Sequence, residues 1–216
     1  MFQMDCGQYL SYIRKAAEVI SQNGEYITAL DAAIADGDHW LNINIGFQKL
    51  LESSEEFCQA VDFQEFFKKL AMATMSAMGG TSGALYGSAY LSASKVLKDV
   101  TSLNDALLAQ VLTTWAEAFM KRGNTAPGDK TMVDTIYPAA KAYSEAVARG
   151  ASSEEALAIL KKAAQDGAES TRDMEAAKGR ASNQPDKGIG HLDPGAVTFS
   201  MQLTCLADYL TENCIR

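Results

Sequence analysis

Three aspartates, Asp31, Asp36 and Asp38, lie within eight residues of one another. Carboxylates held together without a counter-ion repel, and some of them must then take up protons. A hard divalent cation removes this conflict, and all-oxygen ligands select magnesium or calcium. The spacing is not that of an EF-hand, because Phe47 stands where the loop would need its bidentate glutamate. Two interpretations follow: a metal site, or a solvated acidic turn that caps the next helix.

A glycine-rich segment, Gly79-Gly80-Thr81-Ser82-Gly83, precedes a predicted helix. Free backbone N–H groups at a helix start, aided by the helix dipole, can hold an anion. A plain turn between two helices requires glycine as well. Gly80, Thr81 and Ser82 are therefore candidate anion-binding residues, with the turn as the alternative.

The segment from Gly123 to Thr131 is close to a Walker A sequence, but Asp129 stands between the glycine and the lysine. A P-loop follows a strand, whereas the residues before Gly123 have a helical pattern. We therefore exclude a P-loop NTPase. Thr131 and Met132 open the next predicted helix and are candidates for contact with a nucleotide.

The last polar segment contains Arg180, whose guanidinium group suits bidentate binding of phosphate. His191 is interpreted as a loop histidine that is hydrogen-bonded to backbone. Trp40 and Trp115 are interpreted as packing residues, although Trp40 adjoins the acidic cluster.

Helices must position these segments, because apolar residues recur with a period of 3.6 and strand-like alternation is nearly absent. Local signals place helix starts at Ser152, which opens a Ser-x-x-Glu capping box, and at Asp193-Pro194. Short connections favour antiparallel neighbours. The sequence predicts an all-α fold, an antiparallel bundle or barrel of eight or nine helices with the site at one end, in one domain over residues 1–216. The predicted helices are 5–23, 25–34, 40–53, 62–78, 82–98, 103–122, 131–149, 152–177 and 194–212.

Composition excludes several classes of function. The net charge of -8 argues against a nucleic-acid partner, which requires a basic surface. The four cysteines form no CxxC pair, and with two histidines a zinc site is improbable. We find neither a secretory signal nor an apolar run of about 20 residues, so no membrane association is expected. The predicted location is the cytoplasm.

Taken together, the four segments resemble the nucleotide-binding L subunit, or L domain, of dihydroxyacetone kinases. The resemblance covers about residues 5–212, and its motifs stand in the family's order. They are Asp36-Gly-Asp-His39 with Asn42, Gly79-Gly-Thr-Ser-Gly-Ala-Leu-Tyr-Gly87, Gly128-Asp-Lys-Thr-Met132-Val-Asp134 and Gly190-His-Leu-Asp193-Pro-Gly-Ala196.

The resemblance implies an eight-helix barrel that holds ADP or ATP at one end, with about two magnesium ions on Asp31, Asp36 and Asp38. It implies that Arg180 adds positive charge during phosphoryl transfer. It also implies a separate K subunit that holds the ketone and, in one branch, a phosphotransferase-system M subunit as phosphate donor. The resemblance leaves open whether the protein forms a homodimer. The implied nucleotide-binding residues are His39, Asn42, Gly80, Thr81, Ser82, Gly123, Thr131, Met132, Arg180, Asp193 and Gly195.

The chain departs from the family pattern in places. Ala35 and Trp40 stand where glycine is usual, Ile43 replaces methionine, and residues 183–188 replace a Tyr-Leu-Gly-x-Arg-Ser stretch. Lys187 keeps a positive charge there without the planar fork of arginine. Besides a dihydroxyacetone kinase subunit, two alternatives follow: the L subunit of a kinase for another triose or tetrose, and a nucleotide-binding regulator without catalysis.

Overall fold

The structure, a computed structural model, describes residues 1–215, which contain ten α-helices and no extended strand. The helices are α1 (Cys6–Gln22), α2 (Gly24–Ile34), α3 (His39–Glu52), α4 (Ser54–Phe57), α5 (Phe63–Ala77), α6 (Ser82–Ser94), α7 (Asp105–Gly123), α8 (Val133–Ala148), α9 (Ser153–Ser170) and α10 (Pro194–Asn213). Two single 3₁₀ turns, Thr171–Asp173 and Ala181–Asn183, lie between α9 and α10. The all-α prediction is confirmed.

Eight of these helices form a closed ring. The order of packing is α1, α3, α5, α6, α7, α8, α9, α10 and back to α1. The helix α2 packs on α3 and α10, and α4 is a single turn between α3 and α5. The arrangement is therefore the predicted eight-helix barrel, in which helices joined by short connections lie side by side.

The barrel interior is filled by side chains, mostly aromatic. Phe199, which is 2 % exposed, makes edge or tilted contacts with rings of Tyr86, Trp115 and Phe119. On the other side of Trp115, Tyr90 and Phe67 continue the cluster toward Tyr9 and Phe63. The gap left in this cluster has a volume of only about 10 Å³, room for about one water molecule.

One end of the barrel is closed by short-range caps and by the chain termini. The helices α1, α5, α7 and α9 start at this end, and each is capped by a side chain: that of Asp5, Asp62, Asn104 and Ser152 respectively. The chain termini meet here too, because residues 2 and 215 form an isolated β-bridge. At this end, therefore, four helix N-termini are satisfied by the protein itself.

Several helix boundaries differ from the sequence predictions. The single turn α4 was not predicted, and α9 ends at Ser170 rather than at residue 177. The hydroxyl groups of Ser170 and Thr171 donate hydrogen bonds to the carbonyl oxygens of Gly167 and Ala168. Side-chain bonds of this kind compete with continuation of the helix. The helix α8 starts at Val133 rather than at residue 131. The predicted starts of α9 after Ser152 and of α10 after Asp193 are confirmed.

No helix within residues 1–215 combines the length and the apolarity that crossing a bilayer requires.

Candidate functional site

A cavity of about 650 Å³ opens at the end of the barrel where the other four ring helices begin. The first residues of α3, α6 and α10, together with Val133 of α8, line or adjoin it. The N-cap residues of α3, α6 and α8 are Asp38, Thr81 and Met132, and none of them makes a side-chain cap. The fourth helix that begins here, α10, is capped by the side chain of Asp193. The two ends of the barrel therefore differ: the far end caps all four of its helices, whereas three helices at this end direct less satisfied N–H groups and positive dipoles toward one cavity.

The predicted acidic cluster forms one wall of this cavity. Asp31, in the last turn of α2, is 5 % exposed, whereas Asp36 and Asp38 lie on the following loop. One carboxylate oxygen from each residue lies within 4.8 Å of the others. Gly37, with a φ of 76°, makes the turn between the two loop aspartates. Asp31 also accepts a hydrogen bond from the backbone N–H of His39 at 3.1 Å.

Arg180, on the segment between α9 and α10, contacts the acidic cluster. Its guanidinium group pairs with Asp36 and lies 3.5 Å from the carboxylate of Asp38. The Arg180 side chain is 57 % exposed, so it is free to carry charge into the opening of the cavity. No basic side chain among residues 1–215 pairs with the buried Asp31.

The glycine-rich segment lies beside the acidic cluster because glycine allows close packing there. A Cβ at Gly79 would overlap the side chain of Asn42, and a Cβ at Gly83 would lie 2.5 Å from the carbonyl oxygen of Met78. Gly80 has a φ of 60° and open space around its Cα. The segment is therefore a turn between α5 and α6, as the alternative interpretation required, and it also lines the cavity.

The loop between α7 and α8 is folded by two aspartates. Asp129 accepts hydrogen bonds from Thr125 Oγ1 and from the N–H of Ala126, at 3.0 and 2.8 Å. Asp134, which is 4 % exposed, accepts from the N–H groups of Gly128 and Thr131. A helix precedes this loop, so the exclusion of a P-loop is consistent with the structure.

Two of the titratable side chains that line the cavity, His39 and Asp193, have pKa values shifted by burial. Burial lowers the pKa of His39, although Asp31 and Asp38 oppose the shift, and the neutral ring lies 3.0 Å from Thr198 Oγ1. Burial raises the pKa of Asp193 to about 7, against the hydrogen bond from the N–H of Ala196 and the charge of Lys130. Asp193 therefore changes charge near neutral pH, and burial favours the neutral form of His39.

The structure brings all of the sequence-predicted site residues to this single cavity. The metal candidates Asp31, Asp36 and Asp38 lie on one wall, and every predicted nucleotide-binding residue contributes to the lining. Those residues are His39, Asn42, Gly80, Thr81, Ser82, Gly123, Thr131, Met132, Arg180, Asp193 and Gly195.

The family model of the DAK2 domain matches residues 33–208, which include three of the four segments whole and the fourth except for Asp31. The chain belongs to the DAK2 family. It is 35 % identical over 202 residues to the "PEP-dependent dihydroxyacetone kinase, ADP-binding subunit DhaL" of Escherichia coli (strain K12), covering 93 % of this chain and 96 % of that protein. It is 34 % identical over 186 residues to the "PTS-dependent dihydroxyacetone kinase, ADP-binding subunit DhaL" of Lactococcus lactis, covering 86 % of this chain and 88 % of the relative.

A crystal structure shares the DAK2 fold of this chain. The dihydroxyacetone kinase of C. freundii in complex with AMP-PNP and Mg²⁺ superposes with a TM-score of 0.72 at 23 % identity. The match covers 92 % of this chain and 33 % of the kinase, so this chain spans about a third of that longer protein.

Trp40, two residues after Asp38 in the sequence, is a packing residue. Trp40 donates from its indole N–H to the carbonyl of Ile20 at 3.0 Å, and its ring lies against Gly24. The side chain thus fastens the start of α3 to the junction of α1 and α2. Trp115 is 5 % exposed in the core, where its ring packs among aromatic neighbours. Both tryptophans therefore pack as the sequence interpretation expected.

Sequence reasoning missed other residues that line the cavity of this DAK2 domain. Leu85, Phe119 and Thr125 line the cavity from α6, α7 and the loop after α7, and Asn183 lines it from the segment between α9 and α10. Leu85 and Phe119 have the helical spacing of ordinary core residues, so periodicity alone gave no signal. Lys130 stands in the rejected Walker A pattern and in the Gly128–Asp134 motif, but neither gave it a role, and it is a fully buried lysine. The position of these residues depends on long-range packing, which local pattern does not encode.

Proposed function

We propose that this chain is the nucleotide-binding L subunit of a kinase that phosphorylates a small ketone, dihydroxyacetone in the first instance. The observation that carries the proposal is the contrast between the two ends of the barrel. Helices that start at the far end are capped by side chains, whereas three of the four that start at the cavity, α3, α6 and α8, have no side-chain cap and begin beside the aspartate cluster. Uncapped helix N-termini favour a polyphosphate, and a carboxylate cluster favours the metal that accompanies it.

The acidic wall fits magnesium. Its donors are all carboxylate oxygens, they converge within 4.8 Å, and Asp31 is buried without a basic partner among residues 1–215. A buried carboxylate of this kind is stabilised by a nearby cation. Asp31, Asp36 and Asp38 would hold the metal, about two ions in number. When bound, magnesium would neutralise charge on the phosphate oxygens.

The cavity has a polar end for phosphates and an apolar wall for the base. Gly80, Thr81 and Ser82 present backbone N–H groups and hydroxyls at the start of α6, next to the acidic wall. Leu85 and Phe119 form an apolar surface at the same cavity. A nucleotide laid between these two regions would place its phosphates on the helix N-termini and its base on apolar side chains.

Arg180 is the residue of this chain that we assign to catalysis. Enzymes catalyse phosphoryl transfer mainly by positioning the reactants and by stabilising the charge on the transferred phosphoryl group. Arg180 reaches the acidic wall from a separate segment and is more than half exposed. Its guanidinium group would bind phosphate oxygens and orient the terminal phosphoryl group toward the opening, where a partner presents the acceptor.

The acceptor would be held by a separate K subunit. The phosphate donor would be a phosphotransferase-system protein, because the Lactococcus lactis relative is named PTS-dependent and the Escherichia coli relative PEP-dependent. Under this proposal ADP stays bound as a coenzyme and is phosphorylated in place. An exchangeable ATP is the alternative donor.

The first test is to denature the purified protein and identify what it releases. We expect ADP and about two magnesium ions per chain. Transfer is then assayed with an added K subunit, with either ATP or a PEP-driven phosphotransferase system, and with dihydroxyacetone and L-erythrulose as acceptors. Omission of the K subunit is the control.

The outcomes separate the candidate functions. PEP-driven transfer to dihydroxyacetone that depends on the K subunit supports the proposal in full. Transfer to L-erythrulose alone assigns the chain to a tetrose kinase. Bound nucleotide with no transfer to either ketone identifies a regulator, and the absence of nucleotide binding under all conditions refutes the proposal.

A further inference from the structure

The segment that carries Arg180 is a loop with a narrow neck. The chain leaves the barrel after Thr171 and returns at His191, with residues 172–190 between them. At the neck, the N–H of Gly190 donates to the carbonyl of Arg172 at 2.8 Å. The position of Arg180 over the acidic wall therefore depends on how this neck is held.

A single buried amine closes the neck. Lys130 Nζ donates to the carbonyl oxygens of Thr171 and His191, both at 2.5 Å. These two carbonyls mark the exit and the return of the loop, and Lys130 reaches them from the α7–α8 loop. The lysine is 1 % exposed and its backbone is left-handed, with a φ of 59°. A non-glycine residue rarely adopts this conformation, so the position is determined by its contacts.

The surroundings of Lys130 are built for a buried cation. Burial lowers the pKa of Lys130, and the carboxylate of Asp193 opposes that shift most strongly. Gly188, with a φ of 71°, leaves space for the lysine stem, since a Cβ there would lie 3.2 Å from Lys130 Cε. The α7–α8 loop holds the segment at a second point, because the N–H of Ala177 donates to the carbonyl of Asp129 at 3.1 Å.

We infer that Lys130 is a positioning residue that clamps the neck of the 172–190 loop and so holds Arg180 over Asp36 and Asp38. Its ammonium group supplies several donors from one point, and a charged donor strengthens bonds to carbonyl oxygens. The nucleotide-related part of this inference rests on the proposed function. The inference that Lys130 holds the loop closed is independent of the proposed function.

A direct role for Lys130 in phosphate binding is the competing interpretation, since the residue also borders the cavity. Two of its three amine donors are already used by carbonyl oxygens. A lysine that binds phosphate acts independently of Arg180, whereas a lysine that positions Arg180 acts through it. This difference can be measured.

The first experiment measures opening of the loop by limited trypsin digestion of the full chain without nucleotide. Cleavage after Lys178, Arg180 and Lys187 is followed by mass spectrometry in wild type and in Lys130→Met. Proteolysis follows the population of the opened segment when opening is fast, and we expect the variant to be cut about tenfold faster. Cleavage at the wild-type rate would overturn the inference.

A matched control removes another amine that makes two hydrogen bonds between elements. Lys161 Nζ donates to both carboxylate oxygens of Asp208, at 2.8 and 2.9 Å, and joins α9 to α10 away from the loop. Lys161→Met should leave the loop cleavage rate unchanged. If Lys130→Met does not fold, Gly188→Ala takes its place, because a methyl there presses on the Lys130 stem, and faster loop cleavage is again the expected result.

The second experiment is a double-mutant cycle on Mg·ADP affinity. We expect Lys130→Met and Arg180→Ala each to weaken binding by about tenfold, and the double variant to bind within about threefold of Arg180→Ala alone, because coupled residues are non-additive. Fully multiplicative losses would show that Lys130 acts independently of Arg180, and would overturn the inference. If wild type binds no Mg·ADP, the proposed function fails, while the trypsin result still decides the clamp.

Discussion

Gly167 of α9 lies directly against the backbone of Asp134 at the start of α8, and a Cβ at residue 167 would overlap the Asp134 carbonyl oxygen. Asp134 in turn holds the loop that carries Lys130. Gly167→Ala should therefore force the two helices apart, and overpacking of this kind costs about 1–3 kcal/mol. We expect the midpoint of thermal unfolding to fall by about 3–10 °C.

Gly7→Ala is the matched control for this substitution. Gly7 is also helical, and the nearest atom to a Cβ there is the Asp5 carboxylate oxygen at 3.4 Å, an ordinary contact. Alanine is the better helix former, so this variant should be equally or slightly more stable than wild type. If both glycine variants unfold at the wild-type temperature, the close approach of α9 to α8 is not a constraint on the fold.

Asp36→Asn should separate nucleotide binding from folding. The change removes one carboxylate of the proposed magnesium site, and loss of a ligand should weaken Mg·ADP binding by about 100-fold or more. The fold should persist, because Asp36 is about half exposed and its pairing with Arg180 is a surface ion pair, which contributes about 0–1 kcal/mol. Calorimetric titration with Mg·ADP and thermal unfolding measure the two effects.

The control for Asp36→Asn is Asp166→Asn, which removes an exposed carboxylate paired with Lys162 on α9. That variant should bind Mg·ADP like wild type. Retention of full nucleotide affinity by Asp36→Asn would remove Asp36 from the proposed metal site.

Trp40→Ala should affect stability and leave the nucleotide site intact. The indole ring packs so closely on Gly24 that a Cβ at residue 24 would lie 2.8 Å from its Cε2 atom, and the indole N–H bonds to the Ile20 carbonyl. Loss of this partly buried ring should cost about 2–3 kcal/mol. Denaturant unfolding gives the free energy of unfolding, and titration gives the affinity for Mg·ADP. A large loss of affinity at unchanged stability would place Trp40 in the site instead.

Features set by neighbouring residues were predictable from the sequence. The Asp193 N-cap with Pro194 after it, and the Ser152 cap of α9, are local signals, and both helix starts are confirmed. Helical periodicity and short connections predicted a bundle or a barrel, and the family resemblance implied the eight-helix barrel. The end of α9 was predicted seven residues too late, because residues 171–177 contain Arg, Met, Glu and two Ala, which suit a helix, and nothing in their order shows that Thr171 turns the chain.

Features set by distant contacts were not predictable in this way. Lys130 bonds to carbonyls 41 and 61 residues away, and no periodic pattern marks a lysine as fully buried. The proximity of Arg180 to the aspartates, across 142 residues in the case of Asp38, came from family resemblance rather than from spacing. The aromatic filling of the barrel likewise required the ring order of the helices. Local sequence thus specifies the elements, and the packing of the barrel specifies the site.

Asp193→Asn should change how stability depends on pH. Burial raises the pKa of Asp193 to about 7, so the folded protein binds a proton that the unfolded chain, with the ordinary pKa near 3.8, has already released. Between about pH 4 and 7 the folded state therefore loses stability as pH rises, by at most about 1.4 kcal/mol per pH unit. Asparagine keeps a capping side chain but has no charge to bury. The difference between the unfolding temperatures of the variant and of wild type should therefore increase from pH 4.5 to pH 7.5 and then level off. His39 makes an opposite contribution to the pH dependence, but both proteins retain it, so it cancels in this difference. Thermal unfolding without nucleotide across this range measures the difference, and parallel curves for the two proteins would contradict the raised pKa of Asp193.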